Sequence, residues 1–186
     1  MSEEMILRHC APTLARIKTA NLFTWEVESR EELRKALSLY NKRFVKKGLR
    51  FLSLRYKDGR ALIYVYRPSL LSQDLKHTYA RKLLGELGYI PHSAGLSVTR
   101  LISRLKEVED FPHEIGLFLG YPPDDVKGFI EEGSRSYKCK GYWKVYSDEE
   151  RAIKLFEKYR HCTSVYKEKW SQGSSLDKLT VAASAV

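Results

Sequence analysis

Hydrophobic and polar residues alternate over residues 50–57, as expected for a strand with one buried face. Asp58 and Gly59 follow, and this dipeptide is favoured in two-residue hairpin turns. Residues 61–67 are then rich in Ile, Val and Tyr, which are common in strands. The pattern therefore predicts a β-hairpin over residues 50–67.

Apolar residues at helical spacing predict helices on both sides of the hairpin. Ser29 and Glu32 form a capping box before one helix, and Ser147 and Glu150 form another before a long helix that runs to about residue 169. Further helices are predicted over these segments: 68–88, 97–108 (with Val108 last on the apolar face) and 122–133.

Proline at position 12 predicts an interruption near the start of the chain, because proline suits the first turn of a helix and disfavours its interior. We expect a short helix from Glu3, a break at residues 9–11 and a new helix from Pro12 to about Lys18. This interpretation places Cys10 just before a helix N-terminus.

Two further strands are predicted in the second half of the chain. The apolar run at residues 114–119 is typical of a buried strand, and residues 141–146 have strand composition. Four strands with segregated helices predict an α+β fold, with one mixed four-stranded sheet that includes the hairpin and is covered by several helices. We expect a single domain over residues 1–170 and a disordered tail over residues 171–186, which is small and polar.

Composition favours a cytoplasmic protein that does not act at a membrane. The 186 residues contain no apolar run near the roughly 20 residues needed to cross a bilayer, and the start lacks a signal-peptide pattern. The 3 cysteines are odd in number and widely spaced, which favours reduced thiols over a disulfide framework. A net charge of +10 favours an anionic ligand or a nucleic acid as partner.

Three segments carry a family resemblance: HCAPTLARIKTANLF, HEIGLFLGYPPDDVKGFI and YKCKGYWKVYSDEERAIKLFEKYRHC. Together they resemble an uncharacterised bacterial family, described as a domain of unknown function and found mainly in anaerobic Gram-positive bacteria. The similarity extends to about residue 166. The resemblance implies a stand-alone cytosolic protein without an established activity, and its association with flavodoxin and iron-uptake genes would imply redox or metal physiology.

Cys10 is the candidate nucleophile of a thiol-dependent enzyme, because a thiol at a helix N-terminus can have a lowered pKa. His113 is the candidate base, and His9 is a neighbouring alternative. The residues after His113 loosely resemble the histidine strand of papain-like cell-wall peptidases, with an extra residue before the glycine and a long Cys–His separation. The competing interpretation is that Cys10 is a small buried residue and His113 a core or capping residue.

A metal site is the second hypothesis, because several cysteines and histidines are chemically able to bind one. Beyond Cys10 and the two histidines above, the candidate ligands are Cys139, Cys162 and His161. None of them has the short spacing typical of a zinc site, so the fold would have to bring them together. The sequence identifies no cofactor.

Binding of nucleic acid or another polyanion is the third hypothesis, and it uses cations in the helix and the hairpin. The competing interpretation is a solvated charged face. The candidate residues are Lys42, Arg43, Lys46, Lys47, Arg50, Arg55 and Arg60, with Lys57 and Arg67 in the same run.

A second basic segment, residues 135–144, extends the nucleic-acid hypothesis, because its cations alternate with aromatic rings on which the bases of a single strand could stack. Its aromatic residues could also line a pocket beside His113. The predicted pocket residues are Tyr121, Tyr142 and Trp143. Asp124 and Asp125 are interpreted as surface charges in the first turn of a helix. A protein-interaction adaptor with a tyrosine-rich surface is the remaining alternative, since the chain contains 12 tyrosines.

Overall fold

The computed structural model describes residues 1–107 and 111–183, so Val108 and the last three residues of the predicted tail lie outside the described residues. Within it the chain forms two compact units. The first unit comprises Met1–Leu70 and Cys162–Val186, and the second comprises Leu71–His161. The sequence predicted one domain over residues 1–170.

The fold is α+β, as predicted. The helices are α1 (Glu3–Leu14), α2 (Arg30–Phe44), α3 (Pro68–Asp74), α4 (Thr78–Glu86), α5 (Ala94–Glu107), α6 (Ile115–Phe118), α7 (Pro123–Glu132), α8 (Glu149–Ser171) and α9 (Leu176–Leu179), with a 3₁₀ turn at Val45–Lys47. The strands are β1 (Ala20–Glu26), β2 (Arg50–Lys57), β3 (Arg60–Tyr66), β4 (Cys139–Lys140) and β5 (Lys144–Val145).

The first unit contains an antiparallel sheet of order β1-β3-β2. The β2–β3 hairpin is confirmed, and both Asp58 (φ 50°) and Gly59 (φ 70°) are in the left-handed conformation that a tight type I′ turn requires. Strand β1 was not predicted, and it pairs with β3 in register from Ala20 opposite Tyr66 to Glu26 opposite Arg60.

The prediction of one mixed four-stranded sheet is wrong. In the described residues the strands form the three-stranded antiparallel sheet and a separate β4–β5 ribbon in the second unit. The apolar run at residues 114–119, predicted as a strand, instead contains helix α6. An apolar run this short has no periodicity that distinguishes a buried strand from a buried helical turn.

The predicted helix break before Pro12 is also wrong, because α1 continues through it to Leu14. Pro12 lies near the C-terminal end of α1, where its missing N–H removes only one helical bond, the bond to the carbonyl of residue 8. Cys10 therefore lies inside α1 and not at a helix N-terminus.

Residues 171–183 are ordered elements of the first unit, where the sequence predicted a disordered tail. Ser175 caps α9, and Leu176 and Leu179 join the hydrophobic core formed by α1, α2 and the inner face of the sheet. The backbone N–H of Val181 then donates to the carbonyl of Leu14. Within residues 171–183 these two leucines are the members of that core, and so few apolar positions make the tail look polar in sequence.

The second unit consists of helices around the small β4–β5 ribbon. Its core includes Leu84, Leu101, Phe118 and Phe156, contributed by four different helices. Ser29 caps α2 as predicted, whereas α8 is capped by Asp148, whose carboxylate accepts from the N–H of residue 151, and not by Ser147. No helix in the described ranges combines the length and apolar character required to span a bilayer.

Candidate functional site

A cavity of about 420 Å³ opens in the second unit between α6, α7 and the β4–β5 ribbon. Its lining is mainly apolar, and three basic side chains line it as well, namely His113, Lys140 and Lys144. Its volume is within the range of small-molecule sites, about 300–1,000 Å³. The aromatic lining residues are Phe111, Tyr121, Phe129, Tyr142 and Trp143.

One wall of the cavity is a rigid aromatic stack. The rings of Tyr121 and Trp143 are 4.8 Å apart at an angle of 29°, and Phe156 packs edge-on against Trp143 at 4.5 Å. The Tyr121 hydroxyl donates to the carbonyl of Tyr142 at 3.1 Å, and burial raises the pKa of Tyr121 to about 12. Tyr121 is therefore a neutral hydrogen-bond donor at physiological pH, and the wall presents flat apolar surface to a ligand.

Asp125 fixes this wall, although the sequence suggested a surface charge. Its side chain is 2% exposed and accepts four hydrogen bonds. The donors are the Trp143 indole at 2.7 Å, the Tyr146 N–H at 2.8 Å, and the N–H and hydroxyl of Ser147 at 2.8 and 2.7 Å. One buried carboxylate in α7 thus positions the whole C-terminal part of the ribbon.

Two glycines allow the ribbon to lie this close to the helices. A Cβ at Gly128 in α7 would come within 2.4 Å of the Tyr146 ring, and one at Gly141 within 2.3 Å of the Phe156 ring. Both contacts are far shorter than a normal carbon–carbon contact, so any larger residue would displace the ring. The glycines are therefore part of how the cavity is formed.

Lys144 is the cation most firmly held at the cavity. Its Nζ donates to the Ser134 hydroxyl at 2.6 Å and lies 5.3 Å from the Phe129 ring centre and 5.5 Å from the Tyr137 ring centre. Among residues 1–107 and 111–183 it has no carboxylate within ion-pair distance. An ammonium that is held in place beside an apolar cavity, without a carboxylate partner, can donate hydrogen bonds to an anionic group of a ligand.

His113 lies at the rim, edge-on to Phe129 at 4.8 Å. The next residue, Glu114, is buried, and its carboxylate accepts from the Tyr89 hydroxyl at 2.9 Å and from Arg104 Nε at 2.7 Å. Burial and this carboxylate raise the pKa of Tyr89 above its usual range. The Glu114 bonds hold the segment that carries His113, and sequence alone did not single out Glu114.

Residues 6–180 match the family described as "Protein of unknown function (DUF3793)". The chain belongs to this family. The match confirms the resemblance to a family of unknown function that the three sequence segments suggested. No curated protein and no solved structure matches the chain. The function of this DUF3793 protein therefore has to be argued from its own side chains.

The surroundings of Cys10 are the opposite of those expected for an activated thiolate. Its side chain is fully buried in the first unit, and burial raises the pKa of the thiol above its usual range. His9 is exposed and stacks on Phe23 at 5.0 Å, while His113 belongs to the second unit. Thiol catalysis by Cys10 with His113 stays a prediction, and no contact described within either unit of the DUF3793 protein supports it.

Alkylation distinguishes a buried Cys10 from a reactive one. With iodoacetamide at pH 8, we expect Cys10 of the folded protein to react about 100-fold more slowly than Cys139 or Cys162, because it must first be exposed by opening of α1. Mass spectrometry of digested samples measures each site, and denaturant should equalise the three rates. Fast labelling of Cys10 in the native protein would contradict the expected protection and would support the nucleophile hypothesis.

The metal hypothesis has no ligand set in the described residues. No three His, Cys, Asp or Glu side chains of residues 1–107 and 111–183 come together to hold an ion. Cys139 is half-buried, with its pKa raised by burial and by neighbouring Glu149, while Cys162 and His161 lie in α8. No disulfide joins the three cysteines, all of which lie in the described part of the DUF3793 protein.

The predicted polyanion residues separate into structural and exposed groups. Arg43 forms ion pairs with Glu3 and Asp177, and Lys47 donates to the carbonyls of Asp177 and Thr180, so both hold the C-terminal segment. Arg67, from the same basic run, is fully buried. The exposed group consists of Lys42, Lys46, Arg55, Lys57 and Arg60, with Arg50 half-exposed.

The tyrosines do not form the exposed surface that an adaptor would use. All 12 lie in the described residues, and Tyr137 is the one exposed residue among them, with 40% of its surface accessible to solvent. Of the other eleven, five are buried and six are half-buried; the buried ones are Tyr40, Tyr64, Tyr66, Tyr89 and Tyr159. An adaptor role for this DUF3793 protein would therefore need a different surface.

Proposed function

We propose that the protein binds a small, planar apolar ligand with one anionic group in the cavity of the second unit. The observation that carries this proposal is the unneutralised Lys144 ammonium, held over an aromatic cavity of about 420 Å³. The flat face of the Tyr121–Trp143 stack favours a ring, because offset ring stacking stabilises aromatic pairs. The function proposed is binding, and no reaction is assigned.

The charges around the cavity favour an anion over a cation. Lys140 and Lys144 both line it, whereas the one carboxylate in its lining, Asp125, is buried and fully occupied by its four donors. A carboxylate on the ligand could accept a charge-assisted hydrogen bond from Lys144. Such a bond forms in a mainly apolar setting, where it is stronger than in water.

A pair of probes that differ only in charge tests the proposal. We expect 2-naphthoate to bind, as measured by isothermal titration calorimetry, and the neutral 2-naphthamide to bind about tenfold more weakly. Lys144→Met should reduce naphthoate affinity about tenfold and leave naphthamide affinity unchanged, because the substitution keeps most of the apolar side chain and removes the charge.

Lys127→Met is the matched control, since Lys127 lies in the same unit, in α7, and does not line the cavity. Its naphthoate affinity should equal that of the unmodified protein. Absence of binding by either probe at millimolar concentration would refute the cavity as a ligand site. Equal effects of Lys144→Met on both probes would refute the role of the charge.

A further inference from the structure

The hairpin end of the sheet in the first unit forms a second, polar concavity. It measures about 550 Å³ and is lined by Thr24 of β1, Arg55 and Lys57 of β2, Asp58 of the turn, and Arg60 and Leu62 of β3. The register explains why these residues meet. Leu62 pairs with Thr24 and Arg55, and Arg60 pairs with Glu26 and Lys57, so the side chains stand in two adjacent rows on one face.

This face contains a like-charge pair that the fold offsets with a single exposed ion pair. Lys57 and Arg60 are directly opposite each other next to the turn, an arrangement that destabilises a hairpin. Arg60 has an ion pair with Glu26 at 3.1 Å, but both side chains are largely exposed, so the pair contributes little. Arg55 and Lys57 have no carboxylate within ion-pair distance in the described ranges.

The remaining cations of the basic run differ from this group in arrangement. Arg43 and Lys47 bind the C-terminal segment, and Lys42 lines a separate hollow on α2 with Arg34 and Lys35, where Lys35 has an ion pair with Glu31. The hairpin hollow is lined by three positive side chains and one carboxylate, that of Asp58, so a net positive charge remains there. An anion placed there would relieve the repulsion between Lys57 and Arg60.

We infer that this concavity binds the phosphodiester backbone of a nucleic acid without reading its sequence. Arg55 and Lys57 lie two residues apart on one strand, so their Cα atoms are about 7 Å apart. This distance is close to the axial rise over two successive phosphates of one nucleic-acid strand, about 7 Å. Thr24 supplies a hydroxyl beside them that can also bind a phosphate oxygen. No aromatic residue lines the hollow, so base stacking does not contribute and charge dominates the affinity.

A lipid surface fits these residues less well. The single apolar side chain in the lining is Leu62, which is half-buried and unavailable for insertion between lipid tails. A concave site on a sheet also suits a chain of phosphates better than a flat layer of headgroups. This inference concerns the first unit and is independent of the ligand proposed for the second.

Fluorescence anisotropy with a labelled 20-nucleotide oligothymidine tests it over a range of potassium chloride concentrations. With three cations in contact, the slope of log K against log salt should be about −2 for the single strand and about −3 for a 20-base-pair duplex. The double variant Arg55→Glu/Lys57→Glu should weaken binding at least tenfold. Both residues are exposed, so circular dichroism should not change, and the unfolding midpoint should stay the same or rise because Lys57→Glu removes the repulsion from Arg60.

Lys42→Glu/Lys46→Glu is the matched control, because it changes the net charge by the same amount at exposed positions outside the hollow. Its affinity should stay within about twofold of the unmodified protein at 150 mM salt. Equal weakening by both double variants would overturn the site in favour of a general charge effect. Binding of heparin or of phosphatidylserine vesicles, sensitive to Arg55→Glu/Lys57→Glu and without any oligonucleotide binding, would overturn the choice of nucleic acid.

Discussion

Replacing Arg67 by alanine is expected to lower the free energy of unfolding by about 4 kcal/mol, because it removes a large buried side chain and its hydrogen bonds together. Arg67 is the largest fully buried side chain of the described residues. Its guanidinium donates to four backbone carbonyls of the first unit: Thr13 at 2.7 Å, Leu14 at 2.8 Å, Lys47 at 3.0 Å and Val181 at 2.7 Å.

The four carbonyls explain how a charge is tolerated at this position without a carboxylate partner. Burial lowers the pKa of Arg67 to about 10, so the group still carries its proton at neutral pH. Two of the carbonyls, those of Thr13 and Leu14, lie in the last turn of α1, where the helix dipole favours a cation. The guanidinium therefore joins α1, the 3₁₀ turn and the C-terminal segment through one planar group.

Chemical denaturation measures this effect, with Arg55→Ala as the control. Arg55 lies in β2 of the same unit and is exposed, so the control should change stability by less than about 0.5 kcal/mol. Arg67→Lys should lie between the two, because an ammonium keeps the charge but lacks the planar fork that reaches four carbonyls. An Arg67→Ala protein as stable as the control would show that the tail and α1 hold together without this group.

Local sequence signals predicted the parts of the fold that local physics determines. The Asp58-Gly59 dipeptide specified the hairpin because both residues tolerate the left-handed conformation that the turn requires. Ser29 specified the start of α2 because its hydroxyl satisfies an N–H that the helix leaves unpaired. Neither feature depends on residues far away in the chain.

Other features depend on tertiary contacts, which no local pattern encodes. Strand β1 forms because its backbone pairs with β3. Helix α9 is ordered because Leu176 and Leu179 pack into the core of the first unit. Pro12 is tolerated in α1 because it lies close to the end of the helix. For β1 and α9, packing against distant parts of the chain therefore outweighed the local sequence preference.

The candidate site shows the same division. The cavity is lined by Tyr121, Tyr142 and Trp143, together with His113. The sequence suggested these aromatic residues because they lie close to a predicted turn. Asp125 could not be recognised, because a carboxylate in the first turn of a helix usually favours the dipole from the surface. The structure shows that Tyr146 and Ser147, 21 and 22 residues later in the chain, donate to this carboxylate, and the sequence gives no sign of this contact.

Asp125→Ala is expected to lower the free energy of unfolding by about 3–5 kcal/mol and to abolish binding of 2-naphthoate. The substitution leaves the Trp143 indole and the backbone N–H groups of Tyr146 and Ser147 without their acceptor. Each buried donor left unsatisfied costs about 1–3 kcal/mol. The ribbon would then separate from α7, and the aromatic wall with Lys144 would lose its position.

Asp124→Ala is the matched control for this experiment, since Asp124 is the preceding residue of the same helix turn and is exposed. It should cost at most about 1 kcal/mol, the dipole contribution of an acidic residue in the first turn. Asp125→Asn keeps one acceptor oxygen but turns an N–H₂ group toward existing donors, so an intermediate loss is expected. If Asp125→Ala retained naphthoate affinity while folded, the ribbon would be held by its aromatic contacts, and Asp125 would not be the residue that positions the cavity wall.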